Sequence, residues 1–256
     1  MTGAHSVARA LAALGVDVAH VLPGEETIAL IEALRDVDIE LVVCRHEQHA
    51  AFMAATRGRL LGTPGLVVTT IGPGATNAVT GLAHATLGGF PLLHLSGQKA
   101  LRDNDEGRFQ LLDIRAVTAP VTKGTHLVTD PIDAASVTAS AARLAASPRP
   151  GAVTVVVPQD VALGEVPERP DLHVSHTSRS RAAAPAMDHA VEVVRAARRP
   201  VVLFGGGAQQ LPATAAQRFI EALVAPGVAL QTGHGVVPDD HDLCFRPLGM
   251  HRHDVA

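Results

Sequence analysis

The chain has 256 residues, of which 47% are hydrophobic, 18% charged and only 2% aromatic, with neither Trp nor Tyr and a formal net charge of −4. This composition supports a large aliphatic core and excludes a disordered chain, while scattered basic residues and the lack of aromatic platforms speak against nucleic-acid binding. Two cysteines without CxxC spacing, Cys44 and Cys244, the lack of a leader pattern in the first twenty residues and of any apolar run of ~18 residues point to a cytoplasmic chain with free thiols, away from membranes.

In chain order, Val7, Leu11 and Leu14 recur at helical spacing until Gly15, and Val18 to Leu22 form a short apolar run before Pro23-Gly24. Ile28, Leu30, Ile31 and Leu34 predict a second helix and residues 39–43 a second strand. A small-residue helix over 47–61 follows, then a strand over 66–70, a Gly-Pro-Gly turn into a helix reaching Thr86, and a strand over 92–95. A strand near 121–126, a helix over 131–146 and the β-branched run 153–157 continue the alternation. Strands that are apolar on both faces and separated by helices predict an α/β fold, a doubly wound parallel sheet, over residues 1–163. Residues 164–186, rich in Pro, Ser, Arg and His and without apolar periodicity, read as a linker. Beyond it, a helix over 188–197, a strand over 201–204, Gly205-Gly206-Gly207, a helix to about Val224 and a strand over 228–231 make an incomplete Rossmann-like second domain, 187–256.

Ligands of open parallel sheets sit at the carboxyl edge, where strands give way to helices. Glu47 falls there, just after the second strand; by itself it also suits an ordinary helix start, where the dipole favours a carboxylate. The loop Ile71-Gly72-Pro73-Gly74-Ala75-Thr76-Asn77 follows the third strand with two glycines that let backbone approach a ligand, and Ser96-Gly97-Gln98 follows the fourth. Neither loop is a P-loop or a full dinucleotide fingerprint. His241, Cys244, His251 and His253 carry metal-binding groups, yet their spacing matches no common zinc site, and no metal ligand set is assigned.

Taken together, the strings LPGEETIALIEAL, RHEQHAAFMA, TTIGPGATNAVTGLAHA, PLLHLSGQ, FQLLDIRAVTAPVTK and RPGAVTVVVPQDV resemble, in order and spacing, the pyrimidine-binding domain of thiamine-diphosphate-dependent enzymes of the acetolactate (acetohydroxyacid) synthase large-subunit type. RRPVVLFGGGA and TGHGVVPDDHDLCFRPLGMH resemble parts of that family's central domain. The resemblance implies thiamine diphosphate as cofactor, with Glu47 matching the glutamate that protonates the aminopyrimidine ring nitrogen and favours the imino tautomer, which takes the thiazolium proton. It implies that Glu47, Gly72, Pro73, Gly74, Asn77 and Gln98 line the cofactor, that Gln110 acts beside Glu47 in catalysis, and that Phe109 lies near the substrate. In the synthase branch a non-redox FAD sits in the central domain; Gly205, Gly206, Gly207 and His251 are its counterparts here.

No Gly-Asp-Gly, the motif that with Mg2+ anchors the diphosphate in this family, occurs in the chain. The implied activity is therefore that of a component: decarboxylation of a 2-keto acid such as pyruvate and transfer of the two-carbon unit to a second keto acid, as in branched-chain amino acid biosynthesis. The 256 residues alone are expected to be inactive and to need a second subunit or a C-terminal domain, in a homo-oligomer when complete. A simple 2-keto-acid decarboxylase and a non-catalytic fragment or split subunit are the alternatives. Departures from the family pattern are Leu111 in place of Glu after Phe-Gln, Gln159 in place of Lys, His234 in Gly-His-Gly, and Arg252 after His251; they bear on substrate choice and FAD binding.

Overall fold

The structure, a computed structural model, describes residues 1–103, 108–167, 182–212 and 214–245. It divides into two compact units, Met1–Ser178 and Arg179–Ala256.

The first unit is α/β, built on a six-stranded, wholly parallel sheet. Its strands are β1 (Val18–Val21), β2 (Glu40–Val43), β3 (Gly65–Thr69), β4 (Leu92–Gln98), β5 (Gly124–Leu127) and β6 (Ala152–Pro158), in the order β2-β1-β3-β4-β6-β5. Strands β3, β4 and β6 are buried at every residue, as the runs without polar alternation require. Helices α1 (Gly3–Ala13), α2 (Ile28–Asp36) and α7 (Ala134–Ala146) cover one face through Val7, Leu11, Leu30, Leu34 and Ala142. On the other face lie α3 (Glu47–Leu61) and α5 (Val79–Gly88), with Ala50, Ala51, Ala54, Leu82 and Ala85 inward. Chain direction reverses across the sheet at β1: the step to β2 runs one way, under α2, and the step from β2 to β3 runs back, under α3. The switch point therefore lies between the carboxyl ends of β1 and β3.

Small residues bring α3 unusually close to the sheet. A Cβ added at Gly65, the first residue of β3, would fall 1.8 Å from the Ala54 carbonyl oxygen, so helix and strand are in backbone contact. The helix is capped by His46, whose Nδ1 accepts the Gln48 amide at 3.1 Å, and ends at Gly62 in the left-handed conformation.

Most elements lie where periodicity predicts them, with some differences. The helix expected from the Gly-Pro-Gly turn to Thr86 is divided at the buried Ala78 into α4 (Pro73–Asn77) and α5. The fifth strand starts at Gly124, because Pro120 sets a 3-10 turn over Ala119–Val121. Two short helices, α6 (Ile114–Thr118) and α8 (Gln159–Leu163), are too brief to show a period. Of the span read as a linker, Glu165 and Val166 pair back on the start of the chain, through the Thr2–Glu165 bridge and the Val166 amide donating to the Met1 carbonyl at 2.8 Å.

The second unit holds α9 (Ala184–Ala196), β7 (Val202–Phe204), α10 (Ala215–Leu223), β8 (Gly227–Ala229) and β9 (Cys244–Phe245), the strands forming a parallel sheet β7-β8-β9. Phe204, Ala216, Ile220 and Val237 make its core. Leu203, Val228 and Phe245 stand side by side in register, and Leu203 and Phe245 are exposed. Helix α9 starts four residues earlier than the apolar pattern predicts, with Pro185 in its first turn. Both cysteines are free thiols, and among the described residues no helix is long and apolar enough to cross a membrane.

His94, fully buried in β4, lies between Thr69 Oγ1 (2.9 Å from Nε2) and Thr154 Oγ1 (3.1 Å from Nδ1), and burial pushes its pKa from 6.5 down to about 4. The unfolded chain thus takes up this proton at a higher pH than the folded chain does. Stability is full above pH ~6.5 and falls as the pH is lowered through the window to ~4, by on the order of 3 kcal/mol. Buried His20, whose pKa burial also lowers, adds to the loss with the same sign. Denaturant unfolding at stepped pH is expected to show this loss in the wild type and a flatter profile over the same window in His94→Asn.

Candidate active site

Four strand ends meet at the switch point. After β1, the chain turns through Gly24 into a 3-10 turn, Glu25–Thr27, that leads into α2. After β2, Cys44 to His46 lead to Glu47 at the start of α3. After β3, Thr70 to Gly72 lead to α4, and β4 ends in Ser96-Gly97-Gln98.

Glu47 is buried, 6% exposed, although it opens its helix. Its Oε2 accepts the Asn77 side-chain amide at 3.0 Å. Its Oε1 faces Gly74: a Cβ added there would fall 3.2 Å from that oxygen and 2.7 Å from Thr70 Cγ2. Only glycine at 74 lets the turn come this close to one carboxyl oxygen, while Asn77 holds the other. A carboxyl fixed in direction in this way suits proton exchange with a nitrogen acceptor that reaches its other oxygen.

Gly72 has φ +47 and ψ −111, a conformation that disfavours a Cβ, and a Cβ there would fall 2.2 Å from the Gln110 carbonyl oxygen. The segment holding Phe109 and Gln110 therefore lies across the turn. Gln110 itself has φ +61 and is exposed, and Phe109 is 79% exposed. Gln98 is buried, with its Nε2 donating to the Leu112 carbonyl and its Oε1 accepting the Lys99 amide, both at 3.0 Å. It ties the 108–112 segment to β4, so its polar atoms are already engaged within the chain.

The structure thus gathers Glu47, Gly72, Pro73, Gly74 and Asn77 into one cluster, lays Gln110 over it by its backbone, and sets Gln98 beneath the same segment. Phe109 touches the cluster only through its neighbour. In the second unit, Gly205–Gly207 follow β7 into the 3-10 turn Gly206–Gln210; a Cβ at Gly206 would fall 3.1 Å from Thr232 Oγ1, whereas at Gly207 it would meet nothing within 4 Å. His251 and His253 lie outside the described residues. His241 pairs with Glu221 at 3.0 Å, and among the described residues no three His, Cys, Asp or Glu side chains converge as a metal site.

Sequence reasoning missed a second buried carboxyl. Glu26, 5% exposed, accepts the Lys99 ammonium on Oε1 and the Thr70 hydroxyl on Oε2, each at 2.7 Å. Burial disfavours its charge, but the bonds from Lys99 and Thr70 outweigh burial and hold the carboxyl below its ordinary pKa; the same bond raises Lys99. The string Gly-Glu-Glu-Thr does not separate buried Glu26 from exposed Glu25. The signal that could have found it is Lys99, a cation directly after a wholly buried strand.

A doubly wound parallel sheet with a buried carboxyl and a glycine turn at its switch point has the architecture in which open α/β folds place their ligand sites. Comparison with known proteins gives the family. Residues 1–117 match the N-terminal TPP binding domain of thiamine pyrophosphate enzymes, and residues 187–256 match the central domain of the same enzymes. The chain belongs to the thiamine pyrophosphate enzyme family. Its relatives include an acetolactate synthase of Mycobacterium bovis, 35% identical over 98% of this chain and 41% of that protein. Acetolactate synthase isozyme 3 large subunit of Escherichia coli is 37% identical over 98% of this chain and 45% of its own length. The large subunit of Lactococcus lactis is 33% identical, with 98% and 44% covered. The chain spans less than half the length of these relatives.

Gly72→Ala is expected to cost about 1–3 kcal/mol more than Gly15→Ala in chemical denaturation. Gly15 has a positive φ but open space around it, so alanine there brings only backbone strain; at Gly72 the methyl also meets the Gln110 carbonyl. Equal losses would mean that the 108–112 segment yields freely.

Proposed function

We propose that this chain supplies the pyrimidine-binding part of an acetolactate synthase-type enzyme, one that decarboxylates a 2-keto acid such as pyruvate and transfers the two-carbon unit to a second keto acid. The observation that carries this reading is the Glu47 carboxyl, buried, held on one oxygen by Asn77 and with the other facing the glycine turn at Gly74. The residues fit an aminopyrimidine: a carboxyl fixed in direction by Asn77, and a Gly-Pro-Gly turn where a flat ring can approach.

When bound, thiamine diphosphate supplies the electron sink that decarboxylation of a 2-keto acid requires. The chain's own part is to bind and orient. Glu47 holds a proton toward the pyrimidine ring nitrogen, and Asn77 keeps the carboxyl from rotating. Gly72, Pro73 and Gly74 form the wall against the ring, and the 108–112 segment, secured by Gln98, brings Gln110 and Phe109 over the same edge to limit water and shape the substrate space.

Several features are assigned beyond this site. The diphosphate and its Mg2+ fall to a segment or subunit other than these 256 residues, in which no Gly-Asp-Gly occurs. The complete enzyme is taken as a cytoplasmic homo-oligomer. A FAD, where the enzyme holds one, is assigned to the glycine turns 205–207 and 233–235. Gly233 supports this assignment, since a Cβ there would fall 2.0 Å from the Phe204 carbonyl, so the two turns lie together.

In the complete enzyme, Glu47→Gln is expected to slow exchange of the thiazolium ring proton by about 100-fold or more, the range for losing a general acid–base group. NMR-monitored deuterium exchange measures it, and a wild-type rate would sink the assignment. Product analysis on pyruvate should give acetolactate; acetaldehyde as the main product would make the enzyme a decarboxylase instead.

A further inference from the structure

Glu26 has no part in the cluster around Glu47, yet it joins three of the four strand ends that form the site. It belongs to the turn after β1, its Oε2 takes the hydroxyl of Thr70 after β3, and its Oε1 takes the ammonium of Lys99 after β4. Thr70 is confined on both sides by missing side chains: a Cβ at Gly24 would fall 2.4 Å from its Oγ1, and one at Gly74 2.7 Å from its Cγ2. Gly97 is equally close to the turn, since a Cβ there would fall 2.7 Å from Thr27 Cγ2 and 3.0 Å from Glu26 Cβ. With its hydroxyl committed to Glu26, Thr70 directs its methyl at Gly74, the residue that faces the free oxygen of Glu47.

We propose that Glu26, acting through Lys99 and Thr70, is a positioning residue for Glu47: it fixes the rotamer of Thr70, and so sets how closely the 71–77 turn approaches the Glu47 carboxyl. A purely stabilising role accounts poorly for the arrangement. An ion pair buried at one end and partly exposed at the other, as Glu26 and Lys99 are, contributes little net stability, whereas its directional bonds specify a register. A negative charge for the start of α2 is already provided by exposed Glu25. What the Glu26 bonds to Lys99 and Thr70 add is a strut across the switch point. The inference rests on the reading that Glu47 and the 71–77 turn receive the pyrimidine, and makes Glu26 and Lys99 determinants of how that site is shaped.

The test uses the isotope-labelled 256-residue chain without cofactor, with the Asn77 side-chain amide as the NMR reporter of its bond to Glu47. Glu47→Ala gives the reference position for a lost bond. In Glu26→Gln the Asn77 amide signal is expected to move toward that reference and exchange faster with solvent. Thr70→Ser keeps the hydroxyl for Glu26 and deletes only the methyl, and is expected to move the signal in the same direction with little change in melting temperature. Should Glu26→Gln fail to fold, Thr70→Ser decides alone. A lowered melting temperature in Glu26→Gln with the Asn77 signal unmoved, or an unmoved signal in folded Thr70→Ser, would overturn the proposal. Thiamine titrated into the wild type tests the pyrimidine reading separately: an Asn77 signal that ignores thiamine sinks that reading, while the spectra of the unliganded variants still judge Glu26.

Discussion

The site depends on keeping one carboxyl group out of water without neutralising its usefulness. Burying a carboxyl costs free energy unless hydrogen bonds compensate it. Here compensation is partial by design of the fold: Asn77 satisfies Oε2, and the space opposite Oε1 is left without a side chain because residue 74 is glycine. The rest of the unit follows from that need. The carboxyl must open a helix directly after a strand, that helix must be pressed onto the sheet so the group is covered, and a second strand-to-helix turn must arrive beside it. A parallel sheet whose direction reverses between β1 and β3 meets all three conditions at one place.

The nearby ion pair makes a contrast. Glu26 has both oxygens engaged by cation and hydroxyl and stays charged, whereas Glu47 keeps one oxygen open. Two carboxyls on adjacent strand ends are thus given opposite characters by their partners alone. The structure separates a carboxyl with both oxygens engaged from one with a single side-chain partner, which neither residue type nor position in the sequence reveals.

Much of the architecture was legible in the sequence because it follows from burial. Runs such as Leu66-Val67-Val68 and Val153 to Val157 have no polar alternation and could only be strands covered on both faces, and the Ala-rich stretch after Glu47 could only be a closely packed helix. Glu47 and the 72–77 turn were readable because they sit at strand ends. The pairing of Gln98 with Leu112, the backbone of Gln110 over Gly72, and the Glu26–Thr70–Lys99 link were not, since each joins segments far apart in the chain and leaves no periodic trace. The short elements α6, α8 and β9 escaped for a simpler reason: they are shorter than the period that would announce them.

The near contact between Gly65 and the Ala54 carbonyl has a consequence for how such a protein can diversify. A helix seated backbone to backbone on its strand cannot slide or rotate to accommodate a new ligand; any lengthwise shift would drive main-chain atoms together. Variation at this edge of the sheet is thereby left to the 108–112 segment, which Gln98 ties to β4 and whose Phe109 and Gln110 are solvent-facing. The tightest packing in the unit thus also marks where its sequence has the least room to change.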